Sequence, residues 1–219
     1  MGGMGDGMID VVKRALGRSG GRGGPPTPPE IGDPVARLVH FDIGLAELFA
    51  ARAKENGMGV TLVRAEEVLE GVIGFLRGQG CRRVAVCGSG FLDRLGVFDA
   101  LKVEGFEVRR SSELKLDEMY EIDCGITDVY CAVAEVGGMV MRASAEHGRA
   151  VSLIPPVHVA IIEPAKVVGD LIDLFEKLGK AAAASATTII TGPSKTADIE
   201  MNIVTGVHGP GVVQAFILQ

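Results

Sequence analysis

The residues most able to do chemistry gather near the C-terminus, where Thr191-Gly-Pro-Ser-Lys-Thr-Ala-Asp-Ile-Glu200 is the densest polar run. An apolar strand ends there, Gly192-Pro193 makes a turn, and a helix is expected to start with Ser194 or Thr196 as its cap. Asp198 and Glu200 complete a cap-like first turn. Free amides at the positive end of a helix dipole, with Lys195 beside them, suit a carboxylate or a phosphate. The same residues also describe an ordinary capped helix. Next comes Thr205-Gly-Val-His-Gly-Pro-Gly211. Gly206, Gly209 and Gly211 let this loop bring its backbone close to a ligand. His208 is a candidate acid–base group near neutral pH, or else a turn residue donating to a backbone carbonyl.

Three other places carry weaker signals. Glu135 interrupts the apolar run Ala132-Val-Ala-Glu-Val136, so it must be paired, exposed at an edge, or functional. Strand alternation would turn it away from Ala134 and Val136, toward a cleft. His158, between Val157 and Val159, reads as a hydrogen-bonded structural residue. Gly88-Ser89-Gly90 follows an apolar strand as in a dinucleotide fingerprint, but Asp93 stands where the third glycine belongs, and NAD is not expected. That loop can still approach a ligand. Gly125-Ile-Thr-Asp128 reads as a structural turn or as the border of the same cleft.

These groups need a scaffold, and the periodicity supplies one. Asp42 caps an expected helix running to Asn56 and stopped by Gly57. Val60–Val63 is a short β-type run. Val68, Leu69, Val72, Ile73 and Leu76 form a helical stripe ending at Gly78. Arg83–Cys87 is an apolar strand, a helix is expected over 92–103, and Phe106–Arg109 is the next strand. Strand, helix and strand in succession imply parallel pairing with helices over the sheet. After Tyr120 the rhythm changes. Gly125–Arg142 reads as strands joined by a tight turn at Gly137-Gly138. Val151–Ile162 is expected to be a strand preceded by a rigid bend at Pro155-Pro156. A helix should open at Pro164 and close at Gly179, with strands over 187–191 and 212–218. The sum is an α/β, Rossmann-like three-layer sandwich with some antiparallel pairing.

Residues 1–33 stand apart, with a short amphipathic helix expected over 8–16 and a linker in Gly23-Gly-Pro-Pro-Thr-Pro-Pro29. The structured domain is expected over 34–219. Apolar residues make up 47% of the chain against 23% charged, enough to fill a core and exclude disorder over the whole length. The net charge of −6, from 22 basic and 28 acidic residues, favours solubility and argues against nucleic acid as a partner. Cys81, Cys87, Cys124 and Cys131 form no Cys-x-x-Cys pair and read as reduced core thiols, so no metal ligands are assigned to them. No run approaches the roughly 18 apolar residues of a membrane span, and the first residues do not read as a signal peptide. A cytoplasmic location without membrane insertion is expected.

Taken together, Gly192-Pro-Ser-Lys-Thr-Ala-Asp-Ile-Glu200 and Gly206-Val-His-Gly-Pro210 resemble the signature of the LUD-domain family, that of lactate-utilisation protein C. Gly125-Ile-Thr127, Ala134-Glu135, Arg149 and Ser152-Leu-Ile-Pro-Pro-Val-His158 match in order and spacing. The resemblance is specific from about residue 123 onward and generic before it. It implies a fold related to the sugar-isomerase and coenzyme A transferase group and to formyltetrahydrofolate cyclo-ligase. It also implies a part in oxidising L-lactate to pyruvate beside iron–sulfur partner proteins. The chain departs from the pattern twice. Val136-Gly137-Gly138 lacks the hydroxyls usual after the glutamate, and Gly211 replaces a frequent basic residue. Both changes remove hydrogen-bond donors from the expected cleft.

A small anionic ligand is therefore expected at Gly192, Ser194, Lys195, Thr196, Asp198, Gly206 and Gly209, with Glu135 and His208 as candidate catalytic groups and no cofactor assigned. Three functions fit: a component of a lactate-oxidising system, an independent acyl- or phosphoryl-transfer enzyme using Glu135, or a ligand-sensing or structural module.

Overall fold

The apolar stripe of the first described helix, α1 (Leu45–Glu55), buries Phe49, Ala50 and Ala53. Gly57, with φ +90°, turns the chain at its end into strand β1 (Gly59–Val63). The computed structural model describes residues 15–16, 44–197 and 203–219. The helix expected over 8–16 falls almost wholly outside these residues, as do the 23–29 linker, Asp42 and Asp198.

Helix α2 (Val68–Gly78) buries Val68, Val72 and Leu76, one face at i, i+4 and i+8. Strand β2 (Arg83–Val86) leads to Ser89, whose hydroxyl caps α3 (Gly90–Arg94). The single helix expected over 92–103 is two, because Gly96 at φ +71° breaks it before α4 (Val97–Val103). Strand β3 (Glu107–Arg110) and the short α5 (Leu116–Met119) lead to β4 (Cys124–Thr127). Then come β5 (Cys131–Val133) and β6 (Gly138–Arg142) around the expected turn. Residues 150–153 form a helical turn, α6 (Ala150–Leu153), rather than the start of a strand, and β7 (Val157–Ile162) begins after the prolines. The helix expected to open at Pro164 is a 3₁₀ turn, Pro164–Lys166, then the two-residue strand β8 (Val167–Val168). Asp170 then caps α7 (Leu171–Gly179), accepting from the Asp173 amide. Strand β9 (Thr187–Ile190) and strand β12 (Val212–Leu218) fall where expected. Between them lie β10 (Lys195–Ala197) and β11 (Ile203–Thr205).

The central sheet has six strands in the order β1-β12-β7-β4-β2-β3, and every neighbouring pair is parallel. The fold is thus α/β with a parallel central sheet, as the strand–helix rhythm implies. One face carries the core of Val84, Val86, Val159, Ile161 and Phe216 against α2 and α4. The other face is not covered by helices alone. A second sheet, β8-β5-β6-β9, joins α1 there, enclosing Ala132, Met139 and Met141 with Phe49, Ala160, Ile162, Ala215 and Ile217. Its outer side packs Cys131, Val133 and Val140 on Leu174 of α7.

Parallel strands sort the loops by edge. Those following β2, β4 and β7 lie at the carboxyl edge; those preceding β7 and β12 lie at the amino edge. Three residues separate β4 from β5, which ends in the turn 134–137, so the small sheet runs from one edge to the other. Strand β2 continues to β3 on one side, and β4 to β7 on the opposite side. Where adjacent strands send their chains in opposite directions, a crevice opens at their carboxyl ends.

Candidate functional site

That crevice holds a cleft of about 430 Å³ lined by Gly88, Ser89, Asp128, Tyr130, Arg142 and His147, with Lys166 at its side. Asp128, directly after β4, is the hub. Its Oδ2 accepts from Ser89 Oγ at 2.9 Å and pairs with Lys166 Nζ at 3.1 Å. Its Oδ1 faces His147 Nε2 at 3.6 Å and Cys87 Sγ at 3.9 Å.

Each partner is placed by local backbone chemistry. Ser89 is fixed as the α3 cap, accepting from the Phe91 amide at 3.3 Å. Gly88 donates its amide to the Glu146 carbonyl, and a Cβ on Gly88 would lie 2.8 Å from Glu146 Cβ. Only glycine lets the two segments approach this closely, and the approach carries His147 to Asp128. A turn also holds His147, with its amide donating to Ser144 Oγ at 3.0 Å. Lys166 leaves the 3₁₀ turn after β7, where Pro164 presets the first position. It also pairs with Glu163 at 3.3 Å. Arg142, at the end of β6, stacks over the Tyr130 ring at 4.7 Å and donates to the Ala182 carbonyl. Its buried Nε has no hydrogen-bond partner among the described residues.

Burial, and then the Asp128 charge, push the Cys87 thiol up to about 12. Near neutral pH it is a thiol rather than a nucleophilic thiolate. Below the cleft, His158 on β7 is fully buried and shares a 2.9 Å hydrogen bond between its Nε2 and Thr127 Oγ1. Desolvation, and then the nearby His147, lower its pKa to about 3. His158 is therefore the hydrogen-bonded residue expected from the sequence, held neutral.

The residues singled out by the C-terminal motifs lie at the opposite edge. Residues 195–197 form a strand, not the first turn of a helix. Lys195, Thr196 and Ala197 pair with Thr205, Val204 and Ile203 in an antiparallel hairpin. The expected helix start at Ser194 or Thr196 is thus corrected: alternate faces of a β-hairpin replace a ring of free amides. The Ser194 amide donates to the Pro210 carbonyl and the Gly206 amide to the Ser194 carbonyl, both at 2.8 Å. These bonds bring the two signature loops together. A Cβ on Gly209 would stand 3.3 Å from Ser194 Cβ. Lys195 Nζ donates to the Asn56 carbonyl at 3.3 Å, and a Cβ on Gly192 would meet that carbonyl oxygen at 2.6 Å.

Glu135 is not in a strand, so alternation does not orient it. It sits half-buried in the 134–137 turn, its amide donating to the Gly169 carbonyl at 2.9 Å. Asn56 Nδ2 donates to the Val136 carbonyl at 2.9 Å. The turn, the 192–195 loop and the 206–210 loop therefore meet around the end of α1. His208 is exposed. Asp198 lies outside the described residues.

Sequence reading offered Ser89 only in a loop able to approach a ligand, and Asp128 only as a structural turn or the border of the Glu135 cleft, which lies at the other edge. Arg142, His147 and Lys166 gave no local signal. Their roles arise from the return of β6, the 144–147 turn and the end of β7 to one place.

The LUD domain family model matches residues 46–218, which spans the whole central sheet and both polar edges. The chain belongs to the LUD-domain family. It is similar to lactate utilization protein C of Halalkalibacterium halodurans, 28% identical over 212 residues that cover 93% of this chain and 92% of that protein. It is also similar to YkgG of Escherichia coli, 31% identical over 69% of this chain and 71% of that one. In structure it is similar to a DUF162 family protein from Deinococcus radiodurans, with a TM-score of 0.58 at 23% identity, covering 80% of this chain and 96% of that one. This last likeness concerns the fold. Among the described residues of this LUD-domain chain, no helix is long and apolar enough to cross a membrane.

Proposed function

We propose that this LUD-domain protein acts in lactate utilisation, binding a small carboxylate in the carboxyl-edge cleft and working beside iron–sulfur partner proteins in the cytoplasm. The lactate reading rests on the name of the full-length relative. The placement rests on one observation: Lys166 and Arg142 both line the cleft, and the buried Arg142 Nε has no partner among the described residues. A guanidinium and an ammonium at one crevice suit a carboxylate.

The test is calorimetric titration of the purified chain with L-lactate and with pyruvate. Arg142→Ala and Lys166→Ala are each expected to weaken binding by roughly 10- to 100-fold, as loss of a charge-assisted hydrogen bond does. Unchanged affinity in both variants would move the ligand elsewhere. Deletion in the native host should impair growth on L-lactate, and the tagged chain should copurify with cysteine-rich partners. Normal lactate growth together with a chain that purifies alone would remove the metabolic reading.

A second reading is favoured by the meeting of the two signature loops with the 134–137 turn. There the amino edge is the site of an acyl- or phosphoryl-transfer enzyme. Glu135 serves as nucleophile or base, His208 as proton donor, and Lys195 holds the anion with Gly192, Ser194, Thr196, Gly206 and Gly209 around it. Glu135→Gln is then expected to lower turnover by at least about a hundredfold, measured on acyl or phosphoryl donors. The same substitution leaves carboxyl-edge binding unchanged, which separates the two readings.

A further inference from the structure

The two oxygens of Asp128 are used differently. Oδ2 is engaged by Ser89 and Lys166. Oδ1 faces a thiol and an imidazole, and with Cys87 Sγ and His147 Nε2 it forms a group of three ligand-type atoms lying within 4.8 Å of one another. Three different elements supply them: the end of β2, the end of β4 and the 144–147 turn. Around a tetrahedral zinc ion, with bonds of about 2.0 Å to nitrogen or oxygen and about 2.3 Å to sulfur, ligand atoms stand about 3.3 to 3.5 Å apart. The separations from oxygen, 3.6 Å to nitrogen and 3.9 Å to sulfur, need to contract by only a few tenths of an ångström, and that from nitrogen to sulfur, within 4.8 Å, by at most about 1.3 Å. The supports favour that geometry. Gly88 pins the strand end against Glu146, and the Ser144–His147 turn fixes the imidazole beside it.

We propose that Cys87, Asp128 and His147 form a mononuclear site for a borderline-soft divalent cation, zinc in type, with its fourth position open to the cleft. The donor set selects the metal. One thiolate, one imidazole and one carboxylate suit zinc or cobalt, whereas magnesium and calcium require six or more oxygens. Charge agrees. A thiolate and a carboxylate neutralise the dication, and Lys166, paired with Glu163 at 3.3 Å, leaves no net charge beside the open position. A water or a small anion is the expected fourth ligand, as in metal sites that keep a vacant position for chemistry. Binding displaces one proton from the Cys87 thiol to solvent and changes no oxidation state. The inference stands on these three side chains and not on the lactate reading.

Cobalt(II) added to the reduced, chelator-treated full chain is expected to bind one per chain. It should give the visible bands of tetrahedral cobalt and a near-ultraviolet thiolate-to-cobalt band, both abolished by excess zinc. Zinc should raise the melting temperature of the chain. Cys87→Ser is expected to lose the thiolate band, and His147→Ala to weaken cobalt binding at least about tenfold. His147 is near the surface, so its variant keeps the test open if Cys87→Ser fails to fold. The proposal is overturned if the wild-type chain takes up no cobalt, or if the thiolate band survives Cys87→Ser, which would assign it to one of the other three cysteines. It is also overturned if His147→Ala binds cobalt as tightly as wild type. Lactate affinity, measured on the metal-free chain, reports separately on the proposed function.

Discussion

Gly125→Ala is expected to cost at least about 3 kcal/mol of stability, at or beyond the upper end of the overpacking range. Gly125 lies in β4, between β2 and β7, with Ala85 and His158 opposite it in the two ladders. A Cβ there would stand 1.8 Å from the Val151 carbonyl oxygen and 2.9 Å from its carbonyl carbon. Both partners are backbone, so no rotamer change relieves the clash. The strand is held on both sides, and the α6 turn is closed by the Ile154 amide on the Ala150 carbonyl. Urea unfolding monitored by circular dichroism checks this. An unfolding free energy within about 1 kcal/mol of wild type would show that α6 yields freely. Gly74→Ala is the matched control. Gly74 is inside α2 with nothing within 4 Å of its added Cβ, and the same substitution there should gain up to about 1 kcal/mol from helix propensity.

The second large effect is acid sensitivity set by His158. Its pKa of about 3 in the folded state stands below the ordinary 6.5, because burial between the sheets opposes the charged ring. The unfolded chain takes up a proton as pH falls through 6.5, and the folded chain does not until about pH 3. Stability from this group is thus complete above the ordinary value and is lost on acidification, at up to about 1.4 kcal/mol per pH unit. His158→Gln is expected to lower stability at pH 7 by about 1–2 kcal/mol, through an imperfect replacement of the bond to Thr127. It should also flatten the decline between about pH 6 and 4 by nearly one proton. Urea midpoints for both proteins across that interval give the difference, in which the shared carboxylate contributions cancel. Parallel declines would mean that His158 does not govern this region.

The alternation of apolar strands with helical stripes was enough to read the parallel sheet, because strands buried on both faces show as continuous apolar runs and their covering helices as stripes, each within one segment. The stops at Gly57 and the strand at 212–218 were visible for the same reason. What misled was local ambiguity. Ser194 to Glu200 has the composition of a capped helix, yet Lys195–Ala197 pairs as β10 with β11, a partner that local composition does not announce. Pro164 suits a helix start, and the chain makes only a 3₁₀ turn there before Asp170 supplies the real cap. The signature loops were found, and the structure joins them through the Ser194 and Gly206 amides. The carboxyl-edge cleft was legible only in part. Ser89 and Asp128 follow strands, but nothing in the order of residues announces that Arg142, His147 and Lys166 return to the same point.

The separation of the polar residues onto two edges limits what a substrate can do. Six residues of β7 lie between the Pro156 carbonyl, which receives the Gly211 amide, and the loop that carries Lys166. At about 3.3 Å per residue that is roughly 20 Å of solid sheet. A three-carbon acid held by Lys166 is out of reach of Glu135 and His208. If both ends bind ligands, they serve different molecules, or distant parts of one elongated molecule laid along the outside.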